Sequence, residues 1–171
     1  DPNAIALSTV NADGMPNVRM VLLKDIDDGS FVVYTNYGSV KAQEALGAGK
    51  AAFVLHSKTL GRQIRVRGNV EKEGGAQADR YFQTRSYRSR VGAHASDQSK
   101  PLENRQELLD RTDHLAHAMG DDVTRPEFWG GLRITPLEME FWADGAARLH
   151  DRFRWTRQDR FAPWTIQRLN P

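Results

Sequence analysis

Apolar residues in this chain come in short runs divided by turn residues, a pattern that predicts strands more often than helices. Residues 4–10 (AIALSTV) form such a run and end in Asn11-Ala12-Asp13-Gly14. Asp-Gly after a strand-like run predicts a hairpin, with residues 17–24 (NVRMVLLK) as the return strand. A second turn, Asp27-Asp28-Gly29-Ser30, leads into a third strand over 31–35. Ser39 suits the N-cap of a short helix over 40–46 that ends at Gly47. Residues 51–56 and 62–70 read as strands, and Gln63-Ile64-Arg65-Val66-Arg67 alternates as a half-buried strand does. A helix is predicted over 75–84, a polar irregular stretch over 86–100, and a longer helix over 101–119. Pro101 suits the first turn of that helix, and Leu102, Leu108, Leu109, Leu115 and Met119 would line its buried side. Strands return at 130–135, 138–143, 148–156 and 163–169, with Asp144-Gly145 as a turn. About eight strands and three helices without βαβ alternation predict a mainly β, α+β fold: a closed or partly closed antiparallel barrel with peripheral helices.

The 171 residues suffice for one domain with a real core, expected to span 1–171. A composition of 39% hydrophobic and 27% charged residues is that of a soluble globular chain, and no apolar run is long enough for a membrane helix. The chain opens on Asp1 without a Met, so it is expected to be a trimmed piece lacking an N-terminal segment. The absence of cysteine excludes disulfides, thiolate metal sites and Cys nucleophiles, and fits a reducing, cytoplasmic setting. A net charge of +2 is too small to argue for nucleic acid. Its distribution says more. Arg62, Arg65, Arg67, Arg80, Arg85, Arg88 and Arg90 crowd the middle, and Arg148, Arg152, Arg154 and Arg157 the end. Clustered Arg suggests an anionic partner such as phosphate; the competing reading is a solvated face with Arg paired to Asp and Glu.

Several common motifs fail. Gly47-Ala48-Gly49 with Ala52 fits a loose dinucleotide pattern but follows a helix, not a strand, and no P-loop occurs. His114 and His117 lie near Asp113 without a third ligand in sequence, so no metal site is expected. Ser96 and Ser99 lack nucleophile-elbow glycines. What remains is a set of cations and hydroxyls at strand ends: Arg19 and Lys24, then Tyr34, Thr35, Ser39 and Lys41, then Gln63, the stretch Tyr81 to Ser89, Gln98-Ser99, and Trp142 with Arg148, His150 and Arg152. On a strand, alternation would put Arg148, His150 and Arg152 on one face, where an anion would offset their charge. Arg148 paired with Asp144 or Glu140 is the structural alternative.

In order along nearly the whole chain, these residues resemble the pyridoxamine 5′-phosphate oxidase family. The matching segments are Arg19-Met20-Val21-Leu22-Leu23-Lys24, Tyr34-Thr35-Asn36, Gly38-Ser39-Val40-Lys41 and Gly61-Arg62-Gln63 with Gly68. Tyr81-Phe82, Arg85, Ser89, Gly92-Ala93 and Gln98-Ser99 follow, then Phe128-Trp129-Gly130-Gly131, Glu140-Phe141-Trp142, Arg148-Leu149-His150-Asp151-Arg152 and Arg168-Leu169 with Pro171. The resemblance implies an FMN-binding split β-barrel, a homodimer, and oxidation of a phosphorylated B6 vitamer by O2, with neither nucleic acid nor membrane as partner. It implies that Arg19, Met20, Val21, Leu22, Leu23, Lys24, Tyr34, Thr35, Lys41, Gln63, Gln98, Ser99, Trp142 and Arg152 hold FMN. Lys24, Tyr81, Arg85 and Ser89 would grip the substrate phosphate, and Arg148, Leu149 and His150 would cover its ring. Arg148 and His150, with Asp1, would be the catalytic residues.

The chain departs from the family pattern at four places. Val40 stands where an Arg contacting the FMN phosphate is usual, Ser57 and His94 where Trp is usual, and Ser86-Tyr87 where Pro-Arg is usual. Weaker FMN binding is the expected consequence. Three rival readings stay open: a non-catalytic binder of flavin or pyridoxal 5′-phosphate, a flavin oxidase acting on another aromatic substrate such as a phenazine precursor, and an Arg-rich nucleic-acid binder.

Overall fold

The computed structural model describes residues 1–171. Two hairpins set its first three strands. Strand β1 (Ala4–Val10) pairs antiparallel with β2 (Pro16–Asp27) from Ala4 opposite Leu22 to Val10 opposite Pro16. Between them the Asn11 side-chain oxygen accepts the N–H groups of Asp13 and Met15, and Gly14 adopts φ +82°. The second hairpin is tighter. Asp27 faces Ser30, and Asp28 and Gly29 take φ values of 48° and 67°, the positive pair that a type I′ turn demands. Strand β3 (Ser30–Asn36) follows, then helix α1 (Val40–Ala48). The helix runs through Gly47 and stops at Gly49, whose φ of +63° supplies the left-handed conformation common just past a helix end.

Strands β4 (Lys50–Ser57) and β5 (Arg62–Glu73) pair in continuous register from Lys50 opposite Asn69 to Ser57 opposite Arg62. Helices α2 (Gly75–Thr84), α3 (Tyr87–Ala95) and α4 (Arg105–Met119) come next, before β6 (Trp129–Ala143), β7 (Asp151–Thr156) and β8 (Thr165–Leu169). The sheet order is β3-β2-β1-β4-β5-β6-β7-β8, and an additional β3–β6 pairing closes the first six strands into a barrel. The expected antiparallel barrel with peripheral helices is thus present.

Four local expectations need correction. The stretch 86–100 is not irregular: Ser86 caps α3 by accepting the Ser89 N–H, a signal hidden by the polar composition. The long helix begins at Arg105, not near Pro101, because Asn104 accepts the Glu107 N–H as N-cap; Leu102 is left outside it and no residue of α4 is fully buried. Residues 130–135 and 138–143 form one strand that passes through buried Pro136. Strand β7 starts at Asp151, and residues 144–150 form a loop with a 3₁₀ turn at Ala146–Arg148 rather than a two-residue Asp-Gly turn.

The chain divides into two compact units. The first comprises Asp1–Val33, Glu44–Glu71 and Arg133–Pro171. Its core includes Ile5, Leu7, Val32, Phe53, Val66 and Ile134, the inward members of alternating strands. The second comprises Tyr34–Gln43 and Lys72–Leu132. Here Phe82, Val91, Ala93, Val123 and Trp129 are buried, with Tyr34, Tyr81, Tyr87, Leu115 and Met119 packed against them. The Tyr87 hydroxyl donates to the carbonyls of Ala116 and Gly120, both at 2.9 Å, and ties α3 to the end of α4.

Within the first unit, β5 and β6 approach closely at Gly68. A Cβ there would overlap the Thr135 carbonyl and lie 2.9 Å from Pro136 Cα, both backbone groups that cannot swing away. Gly68→Ala is expected to destabilise the fold by at least about 1–3 kcal/mol, the usual cost of overpacking; chemical denaturation of the two proteins measures it, and equal midpoints would refute the close approach.

Candidate functional site

In the second unit, Tyr81 lies in the last turn of α2 and Arg85 is the extended residue that caps it. Tyr81 stacks on Tyr34 with ring centres 4.1 Å apart, and Tyr34 stacks on Trp129 at 5.5 Å. The Arg85 guanidinium lies over Trp129 at 4.8 Å and over Phe82 at 5.5 Å. Its Nη1 is buried without a hydrogen-bond partner. Burial pushes the Arg85 pKa down from its ordinary value and the Tyr81 pKa up. A buried guanidinium nitrogen with no acceptor is costly, and aromatic faces offset only part of that cost. Such a group is ready for an anion. Ser89 sits on the first turn of α3, its hydroxyl 2.8 Å from Ser86 Oγ.

The same unit gathers a second set at the start of α1. Gln98 accepts from the Thr35 hydroxyl at 3.1 Å and from the Asn36 N–H at 3.3 Å. Ser99, held at φ +74°, accepts the Val40 N–H at 3.3 Å. Lys41 Nζ donates to Ser39 Oγ at 3.3 Å. Thr35, Lys41, Gln98 and Ser99, scattered in sequence, therefore meet where a helix presents its positive end.

In the first unit, β2 divides the expected stretch Arg19 to Lys24 between its faces: Arg19, Val21 and Leu23 are half-buried, while Met20, Leu22 and Lys24 are exposed. Arg19 is already engaged. It donates to the Leu7 carbonyl and the Thr9 hydroxyl and pairs with Glu44 at 3.2 Å. Glu44 also accepts from Thr9 and Asn17. These contacts, the Thr9 hydrogen bond first, hold the Glu44 pKa below its ordinary value. Asp1 is exposed, and its carbonyl accepts the Ala4 N–H.

The loop before β7 overturns the alternation expected for Arg148, His150 and Arg152. Only Arg152 lies on the strand; Arg148 ends the 3₁₀ turn. Ala147 and Arg148 have φ values of 55° and 63°, a left-handed pair that costs non-glycine residues about 1–3 kcal/mol each. Gly145 makes the loop possible, because a Cβ there would overlap the Leu149 carbonyl. His150 Nδ1 accepts the Gly145 N–H at 3.2 Å and lies 3.2 Å from Asp144 Oδ1. Its ring is 4.6 Å from that of Trp142, which faces Arg152 in the β6–β7 register. Arg152 donates Nε to Glu140 at 2.8 Å and Nη1 to the Asn170 carbonyl at 2.9 Å. Asp144 lies beside His150 and Glu140 is bonded by Arg152, and neither carboxylate pairs with Arg148, which is exposed beside Leu149. Gln63 lies on β5 opposite His56.

Elsewhere the solvated reading of the Arg clusters holds. Arg67 pairs with Glu138, Arg65 with Glu140 and Arg88 with Asp113, and Arg90 bonds Gln83. A cavity of about 500 Å³ in the first unit is lined by Thr9, Lys50, Arg67, Glu138 and Arg157 among others, none of them in the expected set. Two of its cations are engaged within the protein: Arg67 pairs with Glu138, and Arg157 donates to the Pro136 and Arg160 carbonyls. Sequence reading missed that Trp129 and Phe82 form the bed of Arg85 and that Glu44 pairs with Arg19; it offered Asp144 and Glu140 as partners of Arg148, whereas they lie against His150 and Arg152. No local motif marks these pairings; only the fold brings each residue to its partner.

Residues 1–117 match the model of the family called pyridoxamine 5′-phosphate oxidase. The chain belongs to the pyridoxamine 5′-phosphate oxidase family. Residues 129–171 match the pyridoxine 5′-phosphate oxidase C-terminal dimerisation region. The chain is 62% identical to the pyridoxine/pyridoxamine 5′-phosphate oxidase of Jannaschia sp. (strain CCS1), over all of this chain and 85% of that protein. It is 63% identical to the protein of that name from Cereibacter sphaeroides (strain ATCC 17023), over all of this chain and 86% of that one. Among solved structures, PhzG from Burkholderia lata 383, in complex with tetrahydrophenazine-1-carboxylic acid, matches with a TM-score of 0.91 and 33% identity over 99% of this chain and 83% of that one. An FMN-binding, pyridoxamine 5′-phosphate oxidase-related protein of Nostoc punctiforme shares the fold, with a TM-score of 0.80 at 16% identity over 99% of this chain and 89% of that one.

Three departures from the pyridoxamine 5′-phosphate oxidase pattern have local structural roles. Tyr87 bonds the end of α4, His94 Nε2 lies 2.8 Å from the Thr124 carbonyl oxygen, and Ser57 Oγ accepts the Leu60 N–H at 3.3 Å. Val40, 42% exposed at the start of α1, brings no charge there.

The lowered Glu44 pKa has a testable consequence. A carboxylate whose folded pKa lies below its ordinary 4.5 stabilises the fold above that pH, and this contribution is lost as pH falls through the folded value. Melting temperature followed from pH 7 to 3 should fall less steeply for Glu44→Gln than for the parent; parallel curves would remove Glu44 from the acid response.

Proposed function

We propose that this chain is an FMN-dependent oxidase that converts pyridoxamine 5′-phosphate and pyridoxine 5′-phosphate to pyridoxal 5′-phosphate, with O2 as acceptor and H2O2 as product, and that it works as a homodimer. Family membership supplies the chemical class. The observation that carries the substrate is Arg85: a desolvated guanidinium on an aromatic bed, with one nitrogen lacking an acceptor, suits a phosphate monoester. Tyr81 and Ser89 would add hydroxyl donors, and Lys24 a point charge. The match of residues 129–171 to a dimerisation region supports the homodimer.

The chemistry of the donor sets fits FMN. In the second unit, the α1 N-terminus with Thr35, Lys41, Gln98 and Ser99 offers N–H, ammonium and hydroxyl donors of the kind a phosphate needs, with Tyr34 nearby in sequence. In the first unit, Gln63, Trp142 and Arg152 offer an amide, an indole face and an oriented guanidinium, which suit a flat heteroaromatic ring with polar edges. Residues Arg19 to Lys24 would contribute backbone and side-chain contacts; Arg19 would first have to share its guanidinium with Glu44. FMN would supply the two-electron acceptor for the C4′ carbon.

Arg148, Leu149 and His150 would cover the substrate ring and orient C4′, with Asp1 as the acidic residue of the set. The strained, exposed and unpaired Arg148 suits that task better than a structural one. The alcohol at C4′ loses a hydride and its hydroxyl proton to give the aldehyde; the amine gives an imine, which water hydrolyses with release of ammonia. O2 takes up the two electrons and two protons as H2O2. The likeness to PhzG favours one second reading, oxidation of a reduced tricyclic acid without phosphate, but the identity is about half that to the B6 oxidases.

Anaerobic mixing of the FMN-loaded protein with pyridoxine 5′-phosphate should bleach the visible flavin band, and admitted air should restore it with one H2O2 per turnover. Bleaching by tetrahydrophenazine-1-carboxylic acid alone would decide for the second reading. Arg148→Ala should slow flavin reduction by about 100-fold or more while flavin content stays near that of the parent. Val40→Arg should lower the FMN dissociation constant by about tenfold, the effect of one added charged hydrogen bond; equal affinities would show that position 40 does not govern FMN binding.

A further inference from the structure

Glu140 is the most deeply buried acid of the first unit, 4% exposed near the C-terminal end of β6. A carboxylate in such a place must be both paired and hydrogen-bonded. Glu140 meets that need with two cations from different strands. Oε1 accepts from Arg152 Nε of β7 at 2.8 Å, and Oε2 lies 3.4 Å from Arg65 Nη1 of β5. The Arg152 hydrogen bond, with Arg65 and Arg154 adding to it, holds the Glu140 carboxyl below the usual carboxylate range, so it stays charged. The result is an Arg–Glu–Arg bridge across three neighbouring strands with one net positive charge.

The consequence for Arg152 is geometric. A free arginine side chain loses considerable rotamer freedom when it is fixed. Arg152 is fixed from two sides, at Nε by Glu140 and at Nη1 by the Asn170 carbonyl. Nη2 makes no hydrogen bond within the chain and remains as the available donor edge. Trp142 lies opposite Arg152 in register, and the half-buried Gln63 is two residues along β5 from Arg65. The carboxylate therefore aims a guanidinium that would otherwise be mobile at a strand face carrying an indole and an amide.

We propose that Glu140 is a positioning residue for cofactor binding: it touches no ligand, but pre-orients Arg152 and, with Arg65, sets the net charge of the face that takes up the polar edge of a flat heteroaromatic ring. The inference rests on the reading that Arg152 helps to hold FMN. Arg65 enters as the second cation of the same bridge, so the local charge stays positive although Arg152 is paired.

A double-mutant cycle on the FMN dissociation constant, read by quenching of flavin fluorescence in the full chain, tests this. Glu140→Gln keeps the volume and an acceptor but removes the charge. It should raise the dissociation constant about tenfold in the parent background and less than about twofold in Arg152→Ala, because its effect passes through Arg152. The apoprotein melting temperature, measured alongside, reports any purely structural loss, which would not cancel in the Arg152→Ala background. If Glu140→Gln yields no folded protein, Glu140→Asp, which keeps the charge but withdraws it by one methylene, should show the same dependence on Arg152. Equal weakening in both backgrounds would overturn the proposal, as would unchanged FMN affinity in Glu140→Gln beside a weakened Arg152→Ala. An Arg152→Ala protein with parental FMN affinity would instead refute the reading of Arg152 itself, and the positioning role with it.

Discussion

A guanidinium buried without an acceptor is expensive, and the fold of the second unit is arranged to hold one. Arg85 sits where helix α2, the start of β6 and the aromatic stack of Tyr34, Tyr81 and Trp129 come together. Dispersion and cation–π contacts hold the side chain in place while leaving Nη1 without a hydrogen bond. The two rings beneath it, Phe82 and Trp129, are buried and present aromatic faces rather than acceptors to the guanidinium. An anion that reaches Nη1 would recover the desolvation cost of that buried nitrogen, and this is how binding energy becomes specific for a charged group.

The rest of the molecule treats its cations in the opposite way. With 24 Lys and Arg against 22 Asp and Glu, nearly every charge has an available partner, and Arg67, Arg88, Arg111, Arg125 and Arg133 each find one. Most of these pairs are exposed and contribute little stability. They do remove those guanidinium groups as ligand sites. Against that background the exceptions are informative: Arg85 by burial, Arg148 by a strained loop, and Arg152 by being paired in a way that orients it rather than consumes it.

Much of the fold was legible because its signals are local. Asp13-Gly14 and Asp28-Gly29 mark hairpins through the φ values they permit, and alternation in Gln63 to Arg67 marks a half-buried strand. The misreadings share a cause: a side-chain cap or a tertiary contact outweighed composition. Ser86 starts a helix in a polar stretch, Asn104 outcompetes Pro101 as a helix start, and β6 continues through Pro136 beside Gly68. The candidate site was legible as residue types but not as geometry. The convergence of Thr35, Gln98, Ser99 and the α1 N-terminus needs contacts across some sixty residues, which no period in the sequence encodes.

The loop of residues 144–150 shows why alternation misleads near a site. Three cationic side chains at every second position suggested a single strand face. Instead, Gly145 lets the chain double back, the Asp144 carboxylate meets His150, and Arg148 is left in a left-handed conformation with no partner. A regular strand would have aimed all three side chains alike and fixed their spacing at the strand repeat. The irregular loop gives each a separate environment: one imidazole beside a carboxylate and an indole, one free guanidinium, and one guanidinium clamped by Glu140. On the proposed reading, Arg148 and His150 cover the substrate ring and Arg152 steadies the cofactor, tasks that call for different environments. This differentiation also explains why the strain at Ala147 and Arg148 persists, since relieving it by extending β7 would return Arg148 to the register of its neighbours.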